Sequence, residues 1–345
     1  MPANLSPEYK DAQEAYRRAR DPHERLECLR EMLRTIPKHK GTEHLQGDIR
    51  TRIKELTEEL TAPHKGAARS GHATAVRPEG AAQVALVGPP NSGKSALHAR
   101  LTGSHAVVGP YPFATKLPLP GMLSYRDVQL QLVDLPPVAA DFIEPWMGNA
   151  LERADGALLV VDLGDPECVE QVEAVRRRLE EKGVTLLEPA GEAPATGSIE
   201  SGREGETVED PFRVRLPAAL LANKCDRLGD AAGELEAFRQ LAGVRFPALA
   251  VSAETGEGLA AVGPLLFDML GIVRVYTKVP GHPPDRGRPF TIHGQGTVRQ
   301  VAQLVHRGRA AELKFARLWG SGRFDGEQVS ADHPLKDGDV IELHW

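Results

Sequence analysis

Eight residues, Gly88 to Ser95, read GPPNSGKS. The pattern G-x-x-x-x-G-K-[ST] holds phosphates when a strand precedes it and a helix follows. Here the apolar run 84–87 comes before it and a helical pattern over 94–101 comes after. Gly88 and Gly93 let the backbone bend so that its N–H groups surround phosphate oxygens. Lys94 is expected to place its ammonium between the β- and γ-phosphates, and Ser95 to offer its hydroxyl to Mg2+. The helix N-terminus adds partial positive charge. Asn91, Ser92, Gly93, Lys94, Ser95 and Ala96 are thus candidate nucleotide contacts together with Gly88.

Such a loop does not choose between ATP and GTP. Residues 223–226, NKCD, do, because they follow the apolar run AALLA and so end a strand, where open α/β sheets bind ligands. The Asp226 carboxylate can accept two hydrogen bonds, from guanine N1–H and the 2-amino group, and adenine presents no such donor pair. Asn223 is expected to brace the loop and Lys224 to lay its stem over the base. VSAET, 251–255, comes next in order. Ser252 and Ala253 are expected to support the base, with the Ala253 N–H on guanine O6.

A third segment, QLVDLPPVAA at 131–140, ends an apolar run in Asp134, the expected holder of Mg2+ through water. A nucleotide switch carries Asp-x-x-Gly here, and the glycine N–H reports the terminal phosphate. This chain has Pro137, which has no N–H. The missing hydrogen bond to a charged oxygen is worth about 1.5–3 kcal/mol. Binding is expected to survive, while discrimination between GTP and GDP weakens unless the Val138 N–H substitutes. Thr115, in YPFATKLP, is the candidate switch threonine, meeting Mg2+ when the γ-phosphate is present. The candidate metal residues are therefore Ser95, Thr115 and Asp134.

Positioning these residues takes an alternating sheet. Strands are expected at 84–87, 128–133, 157–162, 184–187, 218–222 and 248–252, with helices at 166–182 and 231–242 between some of them. That alternation means an α/β, doubly wound, mostly parallel sheet over residues 79–271. Residues 1–61 read as three helices, the first opened by Ser6, Pro7 and Glu8 as cap, first-turn proline and early acid. Residues 62–78 lack periodicity and read as a linker. Residues 188–212 hold seven acids and one arginine and are expected to be a disordered acidic loop. Residues 272–345 run strand, turn, helix, strand, loop, strand, a β-grasp (ubiquitin-like) order.

Composition narrows the class. The chain has 345 residues, 41% hydrophobic, enough for two or three domains. It has no apolar run of about 18 residues, so no membrane span is expected. Its opening residues lack the apolar core of a signal peptide. Cys28, Cys168 and Cys225 are scattered, which argues for a reducing cytoplasm and against disulfide or zinc frameworks. The net charge of −6 is uneven. Residues 79–271 carry 16 Lys/Arg against 28 Asp/Glu, whereas 1–78 carry 15 against 12 and 272–345 carry 11 against 8. Mildly basic ends suit phosphate backbones but are also ordinary solvated surface.

GPPNSGKS, YPFAT, VDLP, NKCD and SAE together resemble the Obg superfamily of GTPases, and most resemble its developmentally regulated GTP-binding (DRG) branch. RVYTKVPGHPPDRGRPF and FARLWGSGRFDGEQVSADHPLKDGDVIELHW are similar to that branch's TGS domain, and IPKHKGTE to its opening region. The resemblance implies a slow Mg2+-dependent GTPase, with GTP or GDP as ligand and a cytoplasmic place. It implies RNA or a ribosome-associated partner through the TGS domain; nothing points to DNA or membrane. It also implies the lack of a water-positioning glutamine, which Val138 matches. An asparagine at the position of Asn91 implies K+ in place of an arginine finger. Lys94, Thr115 and Asn91 are accordingly the expected catalytic residues. Two alternatives stay open: a guanine-nucleotide-binding scaffold that does not switch, and a TGS-centred RNA-binding module with a structural G domain.

Overall fold

The computed structural model describes residues 6–19, 22–37, 42–61, 76–104, 117–189, 212–306 and 308–345. They fall into two compact units, residues 1–73 with 197–213, and residues 74–196 with 214–345.

The first unit contains α1 (Pro7–Arg18), α2 (Pro22–Thr35) and α3 (Glu43–Thr61). The Ser6 hydroxyl accepts from the Tyr9 N–H at 3.1 Å and donates to Thr35 O at 3.0 Å. One side chain thus caps the start of α1 and ties it to the end of α2. Tyr9, Leu29, Met32 and Ile49 are enclosed between the helices. Phe212 belongs to this core, although it closes the acid-rich stretch in sequence. Tyr16 meets its ring edge-on at 6.1 Å, and the Arg52 guanidinium lies 4.3 Å from its centre. An aromatic ring buries enough apolar area to be held by such contacts. Residues 190–211, the rest of that expected loop, and 62–75 of the expected linker lie outside the described residues.

The second unit begins with β1 (Ala82–Val87), α4 (Lys94–Thr102), β2 (Leu119–Tyr125), β3 (Val128–Asp134), α5 (Met147–Glu152) and β4 (Gly156–Asp162). It continues with α6 (Cys168–Glu181), β5 (Val184–Leu187), β6 (Val214–Asn223), α7 (Ala231–Leu241), β7 (Ala248–Ala250) and α8 (Val262–Met269). The sheet order is β2-β3-β1-β4-β6-β5, with β7 also on β6. Among the described residues of this sheet, β2 and β3 pair antiparallel and the other strand pairs are parallel. Helices cover both faces. Val84, Leu86, Leu158 and Val160 pack with Leu97 of α4 and Leu266 of α8, while Ala85, Val87, Leu159 and Val161 pack with Val172 and Leu179 of α6. A parallel strand buried on both faces is apolar at every position, which is why these runs show no alternation.

β6 begins four residues before the expected 218, beyond Pro217. Proline cannot donate to a ladder. Here it sits where the pairing changes: residues 214–217 face β5, and β4 joins from Ala218 onward.

The second sheet follows: β8 (Ile272–Thr277), β9 (Asp285–His293), α9 (Val298–Val305), β10 (Phe315–Trp319), β11 (Glu327–Val329) and β12 (Asp339–His344), in the order β11-β10-β12-β8-β9. Val298 and Val301 of α9 pack on Val275, Leu318 and Ile341, completing a β-grasp layer pair. The tip of the β2–β3 hairpin is held to this sheet. Arg274 donates to Asp337 at 2.9 and 2.8 Å and to Asp127 at 2.7 Å, and Asp127 also accepts from the Tyr276 hydroxyl. Among the described residues no helix is long and apolar enough to cross a membrane.

Candidate nucleotide-binding site

The C-terminal ends of β1, β4 and β6 lie side by side, and the turns that leave them make the site. Gly88 turns the chain out of β1; a Cβ there would lie 2.2 Å from Val160 O. Asn91 is left-handed, with φ at 61°. Gly93 is left-handed too, with φ at 88°, and a Cβ on it would lie 2.2 Å from the Asn223 amide nitrogen. α4 then starts at Lys94.

Lys94 is buried, and its ammonium donates to Gly88 O at 3.1 Å and Pro89 O at 3.0 Å. Burial pushes its pKa down to about 8, with the Asp134 charge acting in the opposite direction. Ser95 Oγ donates to Asp134 Oδ2 at 2.5 Å, and Asp134 is fully buried. A hydroxyl and a carboxylate oxygen in contact are hard donors of the kind Mg2+ takes, with water and phosphate oxygens completing its shell. The residues therefore fit the ion. Among the described residues no group of three or more His, Cys, Asp or Glu is placed to hold a metal. Thr115 lies outside the described residues.

Asn223 stitches three segments together. Its amide donates to Ser92 O at 2.9 Å, and its oxygen accepts from the Ala253 N–H at 3.1 Å. The Ala253 N–H, expected above to meet guanine O6, here donates to Asn223 Oδ1. The reason is register. β6 places Asn223 between the phosphate loop and the 251–255 turn, within reach of both. Ser252 is buried and its Oγ accepts from the Thr255 N–H at 3.0 Å, closing that turn. Asp226 stands exposed on the short 3-10 turn Cys225–Arg227, its carboxylate open to a base.

Lys224 is left-handed, with φ at 64°, and its ammonium donates to Asn91 O at 2.9 Å and to Asp162 Oδ2 at 2.5 Å. Asp162 was not singled out from the sequence. Unlike Asp134 and Asp226, it lies in no nucleotide-binding motif, and its link to Lys224 spans 62 positions.

Gly93→Ala is expected to displace Asn223 and break its bond to Ser92 O. The strained φ and the lost bond together cost about 2–4 kcal/mol. Thermal unfolding and GDP titration of the variant check this: a lower midpoint and at least tenfold weaker binding are expected.

The family profile described as "50S ribosome-binding GTPase" matches residues 83–188, and the one described as "TGS domain" matches 273–344. Developmentally-regulated G-protein 1 of Arabidopsis thaliana is 29% identical over 91% of this chain and 88% of its own length. A GTP-binding protein of Methanocaldococcus jannaschii is 26% identical over 93% of this chain and 92% of its own. Among solved structures, Aquifex aeolicus Era bound to GDP.AlF4- aligns with a TM-score of 0.39 and 17% identity, covering 69% of this chain and 71% of that one. The chain thus carries a GTPase-type domain and a TGS domain, and it resembles DRG-type GTP-binding proteins over about nine-tenths of its length.

The chain departs from the Asp-x-x-Gly pattern after β3. Leu135, Pro136, Pro137 and Val138 are all buried. The Leu135 N–H donates to Leu86 O at 3.3 Å, and the Val138 N–H donates to Gly88 O at 3.1 Å. The segment is irregular, and these two bonds tie it to the end of β1 and the start of the phosphate loop. Val138, the candidate substitute for the missing glycine N–H, spends its N–H on the phosphate loop's backbone.

Proposed function

We propose that this DRG-type protein is a slow, Mg2+-dependent GTPase, and that its nucleotide state modulates binding of RNA or a ribosome-associated partner through the TGS domain. The observation that carries this reading is the Ser95–Asp134 contact under the phosphate loop, at the same strand ends that present Asp226. Gly88 to Ala96 wrap the phosphates, Lys94 moves its ammonium from two backbone carbonyls to the β- and γ-oxygens, and Asp226 reads the base. Bound Mg2+ supplies charge neutralisation on those phosphates. Among the described residues no side chain near the site is an obvious base, and in this reading hydrolysis rests on electrostatic stabilisation of the transferred phosphoryl group. Asn91 is placed in the phosphate loop, where a K+ would be held against it. A cytoplasmic location goes with this reading.

A second reading, a nucleotide-binding scaffold that does not switch, is favoured by one contact. The Val138 N–H on Gly88 O and the buried Pro136–Pro137 pair hold the segment after Asp134 in place. The two readings differ in one assay: turnover and affinity for GTP, GDP and ATP in KCl and in NaCl, with Pro137→Gly beside the wild type. The first expects GTP turnover that KCl accelerates. It also expects GTP affinity to rise about ten- to a hundredfold over GDP in Pro137→Gly, as a new N–H reaches the γ-phosphate. No turnover in either salt, with equal affinities for GTP and GDP, leaves the scaffold. Ribosome co-sedimentation of the full chain, with GTP and with GDP, tests the partner.

A further inference from the structure

We infer that Asp162 is a positioning residue of the guanine site: it holds the Lys224 side chain in the place from which its stem covers the base. The inference rests on the reading of this site as a guanine-nucleotide site.

Four observations lead to it. First, Asp162 ends β4 in register with Asn223 at the end of β6, so strand pairing delivers its carboxylate to the start of the base-reading turn. Second, the carboxylate is aimed by two separate contacts. Oδ1 accepts from the Gly164 N–H at 3.1 Å, and Oδ2 takes the Lys224 ammonium at 2.5 Å. Third, both side chains are largely covered, Lys224 with 23% and Asp162 with 16% of its surface exposed, so water weakens the pair less than at an open surface. Fourth, the same ammonium donates to Asn91 O of the phosphate loop. One charged group therefore joins the ends of all three strands that build the site.

Lys224 needs this help. A lysine stem has four rotatable carbons and much rotamer freedom to lose. Its backbone is left-handed, with φ at 64°, and its side chain reaches from the turn to Asn91 O and Asp162. Asn91 O alone is a neutral acceptor. The carboxylate makes the fixed position the favoured one before any ligand arrives, and the flat side of the stem then meets the base without a further ordering cost. A surface ion pair that merely adds stability would not have to touch the phosphate loop.

The experiment is a double-substitution cycle on nucleotide dissociation constants of the full chain. Its members are wild type, Asp162→Asn, Lys224→Ala and the pair of substitutions together, each titrated with GDP and with GTP. Asp162→Glu is added as the variant that keeps the charge. Urea unfolding without nucleotide runs alongside. Asp162→Asn is expected to weaken GDP and GTP by the same factor, about tenfold, which is about 1.4 kcal/mol. Asp162→Glu stays within about threefold of wild type, and Asp162→Asn adds nothing once Lys224 is alanine. Equal binding by wild type and Asp162→Asn overturns the inference and leaves the guanine site intact. So does a loss in Asp162→Asn that persists in full on the Lys224→Ala background, or one matched by the urea midpoint alone. A wild-type chain that binds neither GDP nor GTP overturns the guanine reading, and this inference with it.

Discussion

Asp226→Asn is expected to weaken GTP and GDP at least a hundredfold and to make xanthine nucleotides the better ligands. The argument is one of donors and acceptors. Guanine offers two donors, N1–H and the 2-amino group, and a carboxylate accepts both. An amide accepts one and points its own NH2 at the other, so two donors face each other. Each lost bond to a charged group is worth about 1.5–3 kcal/mol, and a few kcal/mol together is two to four orders of magnitude. Xanthine keeps N1–H but has an oxygen in place of the amino group, so the amide regains both bonds. Asp226 is exposed on a short turn, so the fold is expected to be unaffected. Titration of GDP and xanthosine diphosphate against both proteins checks the result. A variant that keeps its preference for GDP places the base elsewhere.

Lys94→Met is expected to weaken nucleotide binding by about two to three orders of magnitude and at the same time to stabilise the ligand-free protein. The ammonium is buried against two carbonyl oxygens, and burial holds its pKa at about 8, below the ordinary 10.5. A base whose folded pKa is depressed resists its charged form. The folded state therefore carries a penalty below pH 8, and it fades as pH rises from 8 to 10.5, where the unfolded chain still binds the proton and the folded chain does not. The size is roughly 3 kcal/mol, an order-of-magnitude figure. Methionine has similar length and no charge, so it removes the penalty while giving up two hydrogen bonds. The phosphates lose their main cationic partner, and affinity falls by about two to three orders of magnitude. Urea unfolding of both proteins at pH 7 and pH 10 is the check. The variant is more stable at pH 7 and the gap narrows by pH 10. A gap that is constant, or of opposite sign at pH 7, refutes the account. Sites that bind anions commonly carry this cost in the empty state.

The parts legible in sequence are those written in local chemistry. GPPNSGKS announces a strand-to-helix turn because glycines are needed where the backbone turns left-handed, as Gly93 does with φ at 88°. NKCD at the end of an apolar run announces a base-reading turn, and unbroken apolar runs announce strands buried on both faces. Ser6-Pro7-Glu8 announces α1 from its cap. β2 escaped this reading because LPGMLSY holds a proline and a glycine and is half-exposed at a sheet edge, so its pairing with β3 supplies the order its own propensity lacks.

The contacts that set the site's behaviour depend on which strand ends meet, and residue types do not encode that. Pro137 told of a missing N–H. The fate of the Val138 N–H, on Gly88 O, follows from the segment being tied to the end of β1 and the start of the phosphate loop. The Ala253 N–H is claimed by Asn223 because two turns close on each other across the sheet. Asp162 and Lys224 meet because β4 and β6 end level. Motif identity is a property of short runs of residues and the φ, charge and hydrogen-bonding groups they carry. The partners of each N–H and ammonium are chosen by register among strands far apart in the chain, and packing of both sheet faces fixes that register as a whole.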